Sequence, residues 1–86
     1  MLKIYGSMLC KDCVDCRNDL DNSNVPYTFC DFAEELSYLK EFLALRDKEP
    51  VFEEAKERGS IGIPCLVDEN GNISLDWSKY VGQGNA

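Results

Sequence analysis

The chain contains no histidine, and this absence excludes several kinds of site. Histidine is the usual general base, the usual partner of a catalytic cysteine and a common zinc ligand. Nucleophilic catalysis by a cysteine–histidine pair and zinc sites built from both residue types are therefore excluded.

Positive charge is also scarce. The chain has 9 lysine and arginine residues against 16 aspartate and glutamate residues, which gives a formal net charge of −7 at pH 7. Surfaces that bind nucleic acids or anionic membranes need clusters of lysine and arginine. We therefore expect neither a nucleic acid nor a membrane as a partner.

Long apolar runs are missing as well. A membrane-spanning helix needs about 20 consecutive apolar residues, and the unbroken apolar runs of this chain are only a few residues long. The beginning of the sequence lacks the charged region, apolar stretch and cleavage site of a signal peptide. We expect a cytoplasmic protein.

The composition is that of one small globular domain. Hydrophobic residues make up 44% and charged residues 29% of the 86 positions, which is an ordinary balance for a folded chain. We predict a single domain over residues 1–86.

The first third of the chain predicts a strand, a helix and a second strand. LKIYG (residues 2–6) alternates, carries Ile4 and Tyr5 and ends at a glycine, whereas PYTFCDF (residues 26–32) is rich in β-branched and aromatic residues. Between them, one helix face carries, at i, i+4, i+7 and i+11, Leu9, Cys13, Cys16 and Leu20. Short links make this a βαβ unit with parallel strands.

The remaining sequence predicts two helical pieces, a hairpin and a final helical turn. Pro50 begins the second helical piece and Gly59 follows its end, whereas Asp76 caps the final turn. Asn70-Gly71 indicates a type I′ turn between antiparallel strands. The first helical piece, residues 34–47, has helically spaced apolar positions at Leu36, Leu39, Phe42, Leu43 and Leu45.

The predicted order of all the elements is β-α-β-α-β-β-α. It favours an α/β fold with a four-stranded mixed sheet flanked by helices.

Five cysteines are the main chemical feature. An odd number leaves at least one thiol free, and clustered cysteines in a reducing cytosol are more often catalytic or metal-binding than structural. Cys10, Cys13 and Cys16 lie three residues apart in CKDCVDC. They could be a redox pair with a third thiol, part of a metal site, or buried structural side chains.

The redox interpretation starts from the position of Cys10. A loop enters the predicted helix there, and the unpaired N–H groups and dipole of a helix start favour the thiolate. Cα atoms at i and i+3 are about 5 Å apart, within the roughly 4.4–6.8 Å that a disulfide needs, so both Cys10–Cys13 and Cys13–Cys16 meet the distance. Cys16 lies on the inward face with Leu20 and is expected to be inert. Cys10 and Cys13 are therefore our reactive pair, and we assign Cys30 to the core.

Metal binding is the second interpretation. Three cysteines at this spacing open the cluster motif of bacterial ferredoxins, but the fourth cysteine and proline of that motif do not follow. A four-thiolate zinc or iron–sulfur site could recruit Cys30 or Cys65. That site, and a non-catalytic interaction module with inert thiols, are the alternatives to redox catalysis.

Two segments resemble the glutaredoxin family. KIYGSMLCKDCVDCRNDL is similar to the first strand, loop and helix of a glutaredoxin, and IGIPCLVDENGNI to the segment with its cis-proline and final hairpin. The resemblance covers most of the chain in the right order. It implies a thioredoxin-like fold of the glutaredoxin type and the activity of a thiol–disulfide oxidoreductase.

The resemblance also implies roles for individual residues. Cys10 corresponds to the nucleophilic cysteine and Cys13 to the resolving cysteine. Pro64 corresponds to the cis-proline that faces the disulfide, and the backbone of Ile63 to the group that pairs with the substrate. Lys11 completes the predicted substrate-binding residues.

Two further thiols are candidates for auxiliary roles. The resemblance places Cys65, which follows the cis-proline position, near the reactive pair. Cys16 follows Cys13 by one helical turn and could act as a reserve thiol. For both residues, simple packing is the competing interpretation.

The reductant is less well specified than the pair. Ser7, Gly62 and the Ser74-Leu75 pair replace a lysine, a threonine and two glycines with which glutaredoxins commonly bind glutathione, and each change weakens the case for glutathione. DWSKYV resembles the Trp-Ser element of glutaredoxin-shaped proteins that thioredoxin reductase reduces. We expect no bound cofactor, a protein or small-molecule disulfide as substrate, and glutathione or a reductase as the electron source.

Overall fold

A computed structural model describes residues 1–81 of the chain. Residues 82–86 of the predicted domain lie outside the described residues. The strands are β1 (Leu2–Gly6), β2 (Tyr27–Asp31), β3 (Cys65–Val67) and β4 (Ile73–Ser74). The α-helices are α1 (Lys11–Asn22), α2 (Leu36–Lys48) and α3 (Glu53–Glu57), with 3₁₀ helices at Pro50–Phe52 and Trp77–Tyr80.

The four strands form one mixed sheet in the order β2-β1-β3-β4. β1 pairs in parallel with β2 and antiparallel with β3, and β3 pairs antiparallel with β4. The predicted order of elements and the predicted α/β class with a four-stranded mixed sheet are confirmed. None of the helices within residues 1–81 is long and apolar enough to cross a membrane.

Each face of the sheet packs against helices, because successive side chains of a strand point to opposite faces. On one face, Ile4 and Leu66 pack against Leu20 and Cys16 of α1. The other face carries Tyr5, Cys30 and Cys65 against the aromatic rings of Phe42 and Phe52. The described part of the chain therefore has two core clusters with the sheet between them.

The start of α1 differs from the prediction at one residue. Leu9 was expected on the buried helix face, but it is 96% exposed. The Cys10 N–H donates to the Ser7 carbonyl at 3.1 Å, so a turn precedes the helix and leaves Leu9 outside it. Cys16 and Leu20 are fully buried as predicted, and Cys13, which was expected in the exposed first turn, is fully buried as well.

Helix α2 buries a narrower face than its leucines suggested. Phe42 is fully buried, whereas Leu36 is 70% exposed and Leu43 is 44% exposed. At about 100° per residue, Leu36 and Leu43 fall roughly 100° or more around the helix from Phe42. The helix that the spacing predicted is present, but these two leucines lie outside its buried face.

The hairpin between β3 and β4 is present, but its turn is not type I′. That type needs positive φ at both central residues, and only Gly71, with φ 84°, has it; Asn70 does not. The Asp68 carboxylate accepts the N–H groups of Asn70 and Asn72 at 2.9 Å each, and this local capping selects a different turn.

Other predicted caps are confirmed. Pro50 lies in the first turn of its helix, and Gly59 follows Arg58, the C-cap of α3, with φ 72°. The Asp76 carboxylate accepts the Ser78 N–H at the start of the final 3₁₀ helix.

Candidate functional site

Cys10 lies at the junction of a tight loop and helix α1. The Ser7 hydroxyl accepts the Leu9 N–H at 3.1 Å, and the Cys10 carbonyl accepts the Val14 N–H as the first bond of the helix. Cys10 is thus the N-cap of α1, and it is partly exposed. Its side chain lies beside the positive end of the helix dipole, where N–H groups lack intrahelical partners.

Cys13 lies one turn further on and contacts Cys10. It is fully buried. Burial raises the pKa of the Cys13 thiol to about 12, and the neighbouring Cys10 thiol contributes to the rise, although a hydrogen bond from the Ser7 backbone opposes it. Cys13 therefore keeps its proton, and its S–H group can donate a hydrogen bond toward the sulfur of Cys10.

Cys16 has the environment of a packing residue. It is fully buried in the cluster with Leu20, and burial raises the pKa of its thiol to about 12. The structure brings it next to Cys13, whose charge would raise this pKa further.

A cleft of about 450 Å³ opens beside Cys10. Its opposite wall is the segment before β3, where the Ile63–Pro64 peptide bond is cis, as the resemblance implied. The cleft brings together Cys10, Ile63 and Pro64, three of the predicted site residues. Its full lining is Cys10, Asp12, Ala55, Arg58, Gly59, Ser60, Ile61, Gly62, Ile63, Pro64, Leu75 and Trp77.

The backbone of Ile63 is available for pairing. Ile63 is partly exposed, and within residues 1–81 neither its N–H nor its carbonyl makes a turn or loop hydrogen bond to another backbone group. An extended peptide in the cleft could therefore satisfy both groups in the manner of an added strand.

Cys65 lies on the other face of the sheet from Cys13 and Cys16. It pairs with Tyr5 across β1 and β3, while Cys30 pairs with Tyr5 from β2. The two thiols are two strands apart, about 10 Å, which is beyond disulfide reach. The structure places both thiols in the core. This burial raises the pKa of both, that of Cys65 to about 12.

Lys11 does not line the cleft. Its ammonium forms an ion pair with Asp15, one turn along α1, at 2.6 Å, and its side chain is 86% exposed. The structure therefore separates Lys11 from the other predicted substrate-binding residues.

Several residues of the cleft were not predicted from the sequence. Arg58 supplies a cation, Asp12 an anion, and Ile61 an apolar side chain that is 60% exposed. Trp77 forms one side, with its indole N–H donating to the Asp19 carboxylate at 2.8 Å. Closeness in the sequence to the predicted site residues could have indicated some of them. Asp12 follows Cys10 by two residues, and Arg58 and Ile61 shortly precede the cis-proline.

The structure also bears on metal ligation. Among residues 1–81, no three or more cysteine, aspartate or glutamate side chains are grouped so that they could hold a metal ion. Cys10, Cys13 and Cys16 follow the turns of one helix, while Cys30 and Cys65 face the other cluster.

Comparison with known proteins relates the chain to a bacterial protein. No family model matches the chain, and no solved structure matches it. An uncharacterized protein of Haemophilus influenzae (strain ATCC 51907 / DSM 11121 / KW20 / Rd) is 37% identical over 76 residues, which cover 88% of this chain and 88% of that protein. Identity of this extent over most of both chains shows common descent. The chain belongs to the same family as this Haemophilus influenzae protein.

Proposed function

We propose that this protein is a thiol–disulfide oxidoreductase that reduces protein or small-molecule disulfides through Cys10 and Cys13. One observation carries the proposal: a partly exposed cysteine at a helix start, one turn before a second, buried cysteine, faces a cis-proline across a cleft. Cys10 is the partly exposed member of the pair and lies at the start of α1, and a thiolate rather than a thiol is the nucleophile in disulfide exchange.

The architecture supports an assignment to the thioredoxin fold of the glutaredoxin type. In that assignment β1, α1 and β2 form the βαβ unit, and β3 and β4 the antiparallel hairpin that adds to β1. The cysteine pair follows β1 and the cis-proline precedes β3, and these two strands are adjacent in the sheet. Because these neighbours are antiparallel, the end of β1 and the start of β3 lie at the same end of the sheet, which brings the two parts of the site together.

The first chemical step is attack by the Cys10 thiolate on one sulfur of the substrate disulfide. The substrate S–S bond breaks, a bond forms between Cys10 and that sulfur, and the other sulfur leaves as a thiolate that takes a proton. The thiol of Cys13, one helical turn away, is placed to donate a hydrogen bond to the attacking sulfur.

The second step resolves this mixed disulfide. Cys13 gives up its proton and attacks the sulfur of Cys10, so that the second substrate sulfur leaves and takes a proton. The substrate disulfide gains two electrons, and the dithiol loses two as the Cys10–Cys13 disulfide forms. A reductant, glutathione or a reductase of the thioredoxin-reductase type, returns two electrons in the cytoplasm.

The proposal is tested with prereduced protein and bis(2-hydroxyethyl) disulfide, followed by mass spectrometry of the oxidised product. We expect a Cys10–Cys13 disulfide in the unchanged protein and no reduction by Cys10→Ser. Cys13→Ala is expected to accumulate a mixed disulfide on Cys10.

Cys16→Ala is the matched control, because it removes a buried thiol from the same helix without touching the reactive pair. We expect it to keep most of the rate. Equal loss from Cys10→Ser and Cys16→Ala would contradict the assignment, and so would an unchanged protein whose thiols stay inert.

A further inference from the structure

One side chain ties the wall of the cleft to helix α2. Arg46, in the last turn of α2, donates its Nε–H to the Ile61 carbonyl at 2.8 Å and an Nη2–H to the Ser60 carbonyl at 2.9 Å. A guanidinium group is rigid and planar. Its two hydrogen bonds to consecutive carbonyl oxygens therefore define both the position and the orientation of the backbone at Ser60 and Ile61.

The segment has few other polar anchors. The Ser60 N–H donates to the Ala55 carbonyl at 2.8 Å, but no turn or loop hydrogen bond between backbone groups reaches residues 61–63 within the described part of the chain. Gly62 has φ 96°, and its backbone lies against the ring of Phe52. Arg46 is therefore the main polar restraint on the approach to Ile63.

The charge of Arg46 has no anionic partner. Both of its hydrogen-bond acceptors are neutral carbonyls, and no carboxylate forms an ion pair with it among residues 1–81. It does not line the cleft, so it reaches a bound substrate only through the peptides that it holds.

We propose that Arg46 is a positioning residue for disulfide reduction, an inference that rests on the proposed function. By holding the carbonyls of Ser60 and Ile61, Arg46 sets where the Ile63 backbone lies relative to Cys10. A peptide disulfide that pairs with Ile63 then brings its sulfur to Cys10 in one orientation. A shift of about 1 Å in such an arrangement can cost about a hundredfold in rate.

The test compares two disulfides with prereduced full-length protein. One is a short peptide closed by a single disulfide; the other is bis(2-hydroxyethyl) disulfide, which has no backbone to pair with Ile63. We expect Arg46→Met to lower the second-order rate constant about tenfold for the peptide and less than about twofold for the small disulfide. Lys48→Met removes a positive charge from the same helical turn and should leave both rates unchanged.

The two proposals fail in different ways. If the unchanged protein reduces neither disulfide, the proposed function falls and the role of Arg46 falls with it. If it reduces both, but Arg46→Met slows both equally or neither, only the role of Arg46 is overturned. Should Arg46→Met not fold, Arg46→Gln, with a shorter side chain and one amide donor group, is measured by the same criterion.

Discussion

The sulfur of Cys13 occupies the space that a side chain on Gly6 would need. An ideal Cβ built on Gly6 would lie 2.6 Å from Cys13 Sγ, a separation that real Cβ atoms do not reach. Gly6 ends β1 and Cys13 lies in the first turns of α1, so the missing side chain lets the helix approach the sheet. This close approach buries Cys13 directly behind Cys10.

Gly6→Ala is expected to destabilise the protein by about 1–3 kcal/mol, the usual cost of forcing an extra carbon into a packed site. Urea unfolding measures the change in the free energy of unfolding. The Cys13→Ala variant lacks this sulfur. The nearest remaining atoms to a Cβ on Gly6 are then Cβ of residue 13 and a ring carbon of Phe29, each at 3.6 Å, which is an ordinary contact distance. The added cost of Gly6→Ala should therefore shrink there; equal costs in both backgrounds would contradict the contact.

Alkylation should distinguish Cys10 from the buried thiols. Burial raises the pKa of Cys13, Cys16 and Cys65 to about 12, so only about one in 10⁴ of each is thiolate at pH 8. We expect iodoacetamide to modify Cys10 alone in the reduced native protein, as measured by peptide mass spectrometry. Modification of Cys16 or Cys65 at the rate of Cys10 would be inconsistent with the burial.

The stability of the reduced protein should fall as the pH rises above about 8.5. An unfolded cysteine has a pKa near 8.5, whereas the folded pKa of Cys13, Cys16 and Cys65 is about 12. The folded state therefore holds protons that the unfolded state loses. The stabilisation of the folded state by these three protonated thiols is complete below about pH 8.5 and is lost as the pH rises toward 12.

Urea unfolding between about pH 7.5 and 9.5 measures this loss, which reaches at most about 1.4 kcal/mol per pH unit for each buried thiol. Tyrosines add little in this range because their unfolded pKa is near 10. Cys65→Ala is the control, since it removes one of these thiols and should make the slope shallower. A free energy of unfolding that does not change with pH would refute the prediction.

Substitutions at Gly62 and Gly59 separate the cost of an unfavourable backbone conformation from the cost of a steric contact with a side chain. Both have positive φ, 96° and 72°, but a Cβ on Gly62 would lie 2.9 Å from the Phe52 ring, whereas nothing lies within 4 Å of one on Gly59. Alanine at either position costs about 1 kcal/mol or more through its backbone conformation. We expect Gly62→Ala to cost about 1–3 kcal/mol beyond Gly59→Ala in the free energy of unfolding, because the ring must also move.

Gly62→Ala should also slow the reduction of a peptide disulfide, because Gly62 precedes Ile63 in the wall of the cleft. Gly59→Ala, at the far end of this segment, should slow it less. Equal rates for the two variants would show that the Gly62–Phe52 contact does not affect the position of Ile63.

The order of the elements was predictable because its signals are local. Alternation in LKIYG, the helical spacing of Cys13, Cys16 and Leu20, and the stop at Gly59 each depend on a few neighbouring residues. The boundaries and buried faces were less predictable. Leu9 satisfied the helical period but lies outside α1, because the Ser7–Cys10 turn determines where the helix begins.

The element order, the helix-start position of Cys10 and the inward orientation of Cys16 followed from local sequence signals, because periodicity and capping act within a few residues. The surroundings of the cysteine pair, in contrast, depend on contacts between segments that are distant in the sequence. The register that places Tyr5 between Cys30 and Cys65 directs both thiols to the other face of the sheet from α1. The reach of Arg46 to Ile61 likewise spans 15 residues of sequence, so it exists only when the chain is folded.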